Sequence, residues 1–269
     1  MTKESRTMMP RDQEYQSHPV FGELDRYISF YKSLADSVFQ FVSIGTNAIG
    51  NIDSYVFSSI QGTLTSIRTI LRDGRINDAY ALLRKYYDSA IITIYSNLYL
   101  EEHCSIENLV VQQIDSWLTG KDRLPEYRVM SEHIRKSPRV STITQILFAD
   151  DRYKRLRDRC NDHTHYNFYH NVLLNDPHIY LRNRRKALNE FAGDVRDVVI
   201  LHVSYLFFAK QHYMASSDYL DYLECGLTPE PDSQYWVAPF VQEMFDEVVA
   251  QHRPDIAATI KDHTSMHLK

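Results

Sequence analysis

With 269 residues, 43% of them hydrophobic, the chain has the length and the apolar material for a sizeable core. Its formal charge of −5 gives no global electrostatic case for nucleic acid or anionic lipid, and only eight glycines suit long helices better than many tight turns. Cys104, Cys160 and Cys225 are odd in number and form no CxxC pair, which argues for a reducing compartment and against a disulfide or thiolate–zinc framework.

Residues 1–20 read as a polar, partly disordered lead-in, with Pro10 and Pro19 as breakers. It has no apolar signal core, and no run reaches the about 18 apolar residues of a membrane span. The expectation is therefore a cytoplasmic protein with no membrane partner. From Glu23 to about Asn47, Leu24, Ile28, Tyr31, Leu34, Val38 and Phe41 recur at helical spacing. A second helix is predicted from about Ser54 to Leu71, stopping at Asp73-Gly74. A third starts at Asn77 or Asp78 and reaches about Leu100, so the two should pair as an antiparallel hairpin. Shorter helices are predicted over Ile106–Leu118, Pro125–Arg135 and Ser141–Phe148, and another starts at Asp151. A loop covers Asn171–His178, and a long helix runs from about Ile179 to Met214. A Pro-rich turn at Thr228–Pro231 precedes helices at about Gln234–Gln251 and Pro254–His263. Together these predict an all-α, multi-helix bundle as a single domain over 21–269, with its core at about 54–214. The C-terminal extension, about 228–269, is acidic through Asp218, Asp221, Glu224, Glu230, Asp232, Glu243, Asp246 and Glu247 at and before it.

Basic residues crowd Arg152–Arg159 and Arg182–Lys186 despite the negative total. In a helix continuing through the first cluster, Arg157, Asn161, His165 and Tyr169 share one stripe, and Arg155, Arg159 and His163 another. Phosphodiester cleavage uses these residue types. An imidazole takes a proton from a ribose 2′-hydroxyl or gives one to the leaving oxygen, a guanidinium fork holds the phosphate, and an amide orients either. If the 2′-hydroxyl attacks internally, no metal is needed. The plainer reading is a solvated basic face in which Asp150, Asp151, Asp158 and Asp162 pair with the arginines and the histidines cap the helix. His163, His165 and His170 with Asp162 form only a weak metal-ligand pattern, so no metal and no cofactor are assigned.

The stretch resembles the HEPN superfamily, helical bundles of prokaryotic RNA-targeting proteins. Their signature is an arginine, commonly a polar residue next, and a histidine after four to six intervening residues. Arg159 with His165 and Arg157 with His163 both fit. Only the second has the polar follower, Asp158. The first is preferred because His165-Tyr166-Asn167 closes the polar run. The resemblance implies a HEPN-like core and a metal-independent endoribonuclease, a hydrolase of single-stranded RNA whose motifs meet across a homodimer. In it His165 is the acid/base, Arg159 the phosphate clamp and Asn161 their neighbour, with Arg157, His163, Arg84, Asp88 and Tyr166 in support. The alternative is a non-catalytic helical protein of a defence or toxin–antitoxin type that binds RNA or a protein partner.

Arg84 and Asp88, four apart on the third helix, make either an intrahelical ion pair or a phosphate contact that Asp88 orients. Cys160 beside Arg159 reads as structural rather than reactive. Arg182-Asn183-Arg184-Arg185-Lys186 reads as a solvated helix start that extends a cationic surface only if it lies near the motif. Tyr153, Tyr166, Phe168 and Tyr169 read as core aromatics ahead of stacking platforms for unpaired bases. Trp236, Phe240, Met244, Phe245 and Val248 should pack on the bundle or on a second subunit. P-loop, GxGxxG, GxSxG and HExxH motifs are absent from the sequence.

Overall fold

Phe57, Ile60, Leu64, Ile67 and Leu71 are spaced alternately three and four apart, and all five are buried along one stripe of a single helix. The same patterning recurs down the chain. The computed structural model describes residues 8–39, 49–229 and 236–269, and among these it is an all-α multi-helix bundle without a β-sheet. Its helices are α1 (Gln13–Gln16), α2 (Val20–Ser37), α3 (Ile52–Arg72), α4 (Ile76–His103), α5 (Gln112–Leu118), α6 (Tyr127–Lys136) and α7 (Ser141–Leu147). They continue as α8 (Arg152–Thr164), α9 (Tyr169–Leu173), α10 (Arg184–Ala209), α11 (Ser217–Glu224), α12 (Pro239–Met244) and α13 (Pro254–His263). No helix among the described residues is long and apolar enough to cross a membrane.

The chain divides into two compact units, and the stretch 54–214 contributes to both. The first contains Met1–Lys32, Tyr55–Ser89 and Asp150–Val199. Its core is strongly aromatic. Tyr31 lies against Phe57 of α3 and Tyr86 of α4, and the Tyr31 and Tyr86 hydroxyls are 2.7 Å apart. The three-residue turn from α3 to α4 closes as a Schellman motif, with Gly74 N–H donating to Leu71 O at 2.9 Å and Arg75 N–H to Ile70 O at 3.0 Å. Gly74 sits at φ +86°, and a Cβ there would fall 2.2 Å from Pro10 Cγ, so the turn needs glycine twice over.

The polar lead-in is ordered where it is described. Tyr15 is fully buried and its hydroxyl donates to Leu71 O at 2.5 Å, while Met8 is bridged to Leu181. One large aromatic ring in a polar segment was enough to draw it onto the core. Residues 1–7 lie outside the described residues, as do 40–47 of the helix predicted from Glu23.

The second unit contains Ser33–Ser54, Ala90–Ala149 and Ile200–Lys269. Ile94, Leu98, Ile134, Ile143, Leu206 and Phe207 are among its buried side chains, and Phe207 meets Phe245 edge-on at 6.1 Å. Phe245–Ala250 continues α12 as a π-helical segment.

Several boundaries differ from expectation. Of Ile106–Leu118 only the part from Gln112 is helical, and Ile106, Leu109 and Val110 are exposed. The loop predicted at Asn171–His178 overlaps α9, and α11 has no counterpart in the sequence reading. The long helix starts at Arg184, not Ile179, because Leu181 is bridged to Met8 and the Arg184 side chain folds onto the preceding loop, donating to Asp176 O and Ile179 O. It ends at Ala209, followed by a 3-10 turn over Gln211–Met214. The predicted turn at Thr228–Pro231 and helix start at Gln234 fall partly outside the described residues.

Candidate functional site

Helix α8 lies in the first unit. Tyr153, Leu156, Cys160 and His163 recur at i, i+3, i+7 and i+10, and all four are buried. That stripe fixes the helix against α4 and leaves its remaining faces to the arginines. The two helices run antiparallel: His163 meets Asn77 and Tyr80, Asn161 meets Arg84, and Arg157 meets Asp88.

Two clusters follow from this register, on different sides of α8. In the first, Arg84 donates through Nε to Asp88 at 2.9 Å and through Nη1 to Asn161 Oδ1 at 2.8 Å. Arg157 stands 3.5 Å from the other Asp88 oxygen. Four of the residues singled out from the sequence therefore form one network. His165 caps the end of α8, and its N–H donates to Asn161 O at 2.9 Å, which places it one turn beyond Asn161 on the same stripe. Its side chain is exposed.

In the second cluster, Arg159 holds Asp194 of α10 through Nε at 2.7 Å and Nη2 at 3.0 Å, and the Tyr80 hydroxyl donates to the same carboxylate at 3.0 Å. Burial raises Asp194, opposed by its bonds from Arg159 and Tyr80. His163 stacks on Tyr80 at 4.0 Å and 12°, with Nδ1 2.9 Å from Asn77 Oδ1. Burial, with the Arg159 guanidinium adding to it, pushes His163 down to about 4 and leaves it neutral at pH 7. With an amide oxygen as its partner, Nδ1 carries the hydrogen and Nε2 the lone pair. Tyr80, Arg159 and His163 line a cleft of about 280 Å3, together with Phe168, His170, Asn183, Lys186 and Glu190.

Arg159 and His163 thus share one cleft, Arg157 and Asn161 lie on the stripe of His165, and the preferred pair, Arg159 with His165, is divided between the two sides of α8. The helix ends at Thr164, so Tyr169 leaves the stripe expected for it and begins α9. Arg155 stays outside both clusters, paired with Asp151. Burial pushes the Cys160 thiol up to about 12, the opposite of activation.

Three aromatics expected in the core stand in solvent: Tyr166 is 48% exposed, Phe168 59% and Tyr169 75%, whereas Tyr153 is buried as expected. The chain leaves α8 by a second Schellman motif, with Asn167 N–H donating to Asp162 O at 3.0 Å and Tyr166 N–H to His163 O at 3.4 Å. Tyr166 occupies its left-handed position at φ 51°, where a bulky residue is strained by roughly 1 kcal/mol. Tyr166→Gly is therefore expected to raise stability by about 1 kcal/mol, read from the urea midpoint. A midpoint that falls instead would mean that the Tyr166 ring contributes more to stability than its left-handed backbone costs.

In the second basic cluster, Arg184 is fully buried against backbone carbonyls, contrary to a solvated start, and Arg185 pairs with Glu14. Lys186 alone of the five charged or amide side chains joins Asn183 on the cleft. Asn77, Tyr80 and Asp194 were not singled out as site partners from the sequence. Tyr80, Arg84 and Asp88 at i, i+4 and i+8 were a legible signal for the first two, since Asn77 lies one turn before Tyr80. Asp194, a carboxylate beside the apolar run from Val195, was legible only as an anomaly. Among the described residues, no group of three or more His, Cys, Asp or Glu is placed to hold a metal ion. Compared with protein-family models, curated proteins and solved structures, the chain gives no match. The functional reading therefore rests on these residues.

Proposed function

We propose that α8 and the turn after it form the site of a HEPN-like endoribonuclease, which cleaves single-stranded RNA without a metal and works as a homodimer. The observation that carries this reading is the exposed run His165, Tyr166, Phe168, Tyr169 and His170, which sets imidazoles among aromatic faces at the end of an arginine-bearing helix. Unpaired bases stack on such faces, at about 1–3 kcal/mol per base. His165 takes the 2′-hydroxyl proton, the oxygen attacks phosphorus, and the 5′-oxygen leaves with a proton from the same residue of the second copy. The products are a 2′,3′-cyclic phosphate and a 5′-hydroxyl. Arg157 and Arg84, oriented by Asp88 and Asn161, face the phosphate, and Arg159 serves the neighbouring cleft.

The bidentate hold of Asp194 on Arg159 favours a second reading, an RNA-binding protein that does not cleave. Incubating the full chain with single-stranded RNA, with and without EDTA, separates the two. Cleavage that survives the chelator and leaves cyclic phosphate ends is expected. Retention without cleavage selects the second reading, and neither sinks both.

A further inference from the structure

Most of the lining of the cleft beside α8 is not used by the chemistry proposed for His165. The space, about 280 Å3, falls just below the roughly 300–1,000 Å3 of pockets for drug-sized ligands. It suits one nucleoside rather than a dinucleotide. Arg159 and Lys186 bring positive charge to it, but Asp162 and Glu190 line it as well, and Asp194 neutralises Arg159 from behind. A phosphate finds no net attraction there. A neutral heterocycle with donors on one edge and acceptors on another finds both complements. Phe168, exposed on the rim, offers a face for stacking.

The inventory of polar atoms narrows the choice. Nε and Nη2 of Arg159 are held by Asp194, which leaves Nη1 as a donor, and Lys186 is an exposed ammonium on the same lining. Glu190 is an exposed carboxylate. Guanine presents two adjacent N–H groups that a carboxylate accepts together, and on its other edge O6 and N7, which arginine or lysine donates to. Adenine and cytosine each carry an amino group beside an acceptor nitrogen, which meets a carboxylate with repulsion at one of its two oxygens. Uracil has a single N–H between two carbonyls.

We propose that this cleft is a guanine-binding subsite, with Glu190 accepting from the N1 and N2 edge, Arg159 and Lys186 donating to O6 and N7, and Phe168 stacking on the ring. The proposal rests on the reading of α8 as an RNA site and gives it a sequence preference.

The test has two arms on the full chain. In the first, the four ribonucleoside monophosphates are titrated by calorimetry. GMP should bind at least about tenfold tighter than AMP, CMP or UMP, since a matched bidentate pair discriminates by about 1–3 kcal/mol. Phe168→Ala should weaken GMP about tenfold, and Glu190→Gln should abolish the preference; both positions are exposed, so both variants are expected to fold. Equal binding of the four, a preference for another base, or indifference to both substitutions overturns the proposal. In the second arm, single-stranded RNAs with and without guanosine are compared for cleavage and retention. RNA that is cleaved or retained without base preference overturns the guanine subsite and leaves the reading of α8 standing. GMP bound selectively by a chain that neither cleaves nor retains RNA does the reverse.

Discussion

His165→Ala should abolish RNA cleavage while leaving the fold intact. Removing a general acid–base costs roughly 10²–10⁴-fold in rate, and each tenfold corresponds to about 1.4 kcal/mol of transition-state stabilisation. The side chain is exposed at the cap of α8, so the stability change should stay within about 0.5 kcal/mol. Single-turnover cleavage of a guanosine-containing RNA and a urea titration of the same preparation read both quantities. His163→Ala is the informative control. That ring is stacked on Tyr80, bonded to Asn77 and neutral at pH 7, so its loss should lower stability, with cleavage falling only as far as the cleft is disturbed. If His163→Ala abolishes cleavage in a folded protein and His165→Ala does not, the functional imidazole is His163, which shares its cleft with Arg159, and the assignment of His165 fails.

Arg184→Leu should cost about 3–5 kcal/mol of stability, a large share of the roughly 5–15 kcal/mol that holds a typical protein folded. The guanidinium is fully buried and donates to Gly74 O at 3.1 Å, Asp176 O at 2.9 Å and Ile179 O at 3.1 Å. Burial lowers its pKa, the sign of a charge held without a carboxylate in its hydrogen-bonding shell. Leucine fills most of the volume but leaves the buried Gly74 carbonyl and the partly buried Asp176 and Ile179 carbonyls without this donor, at a cost of up to about 1–3 kcal/mol each. Arg184→Lys should recover little, because one ammonium on a flexible stem does not reproduce a planar fork reaching three acceptors. The loss should appear as a lower urea midpoint and as faster amide exchange in the α3–α4 turn and in 176–183. A loss below about 1 kcal/mol would mean that solvent replaces the arginine.

Much of the helical architecture was legible because it follows from local spacing. The Phe57-to-Leu71 stripe, the stop at Asp73-Gly74 and the helix over Pro254–His263 depend on residues within a few turns of one another. The errors arose where one distant contact outweighed local pattern. Tyr15 and Met8 pulled a polar lead-in onto the core, and Arg184 moved the start of α10 by five residues from the expected Ile179. Ile106, Leu109 and Val110, at the start of the helix predicted over Ile106–Leu118, stand in solvent.

Within the site, Arg84, Asp88, Arg157 and Asn161 were chosen for their residue types and spacing, and α4 and α8 bring them together. The sequence reading set His163 on a stripe with Arg155 and Arg159, whereas the structure buries it in line with Tyr153, Leu156 and Cys160 and leaves His165 exposed. What the sequence determined by itself is that α8 has an apolar face and polar faces, and that arginines, amides and imidazoles crowd the latter. It could not decide which polar face meets which partner, because that depends on the antiparallel register of α4 and on Asp194, 35 residues beyond Arg159. Nor could it decide that Tyr166, Phe168 and Tyr169 stand outside the core. A tyrosine or phenylalanine carries the same apolar area in either place, and only the turn at Tyr166, closed after α8 ends, directs these rings to solvent.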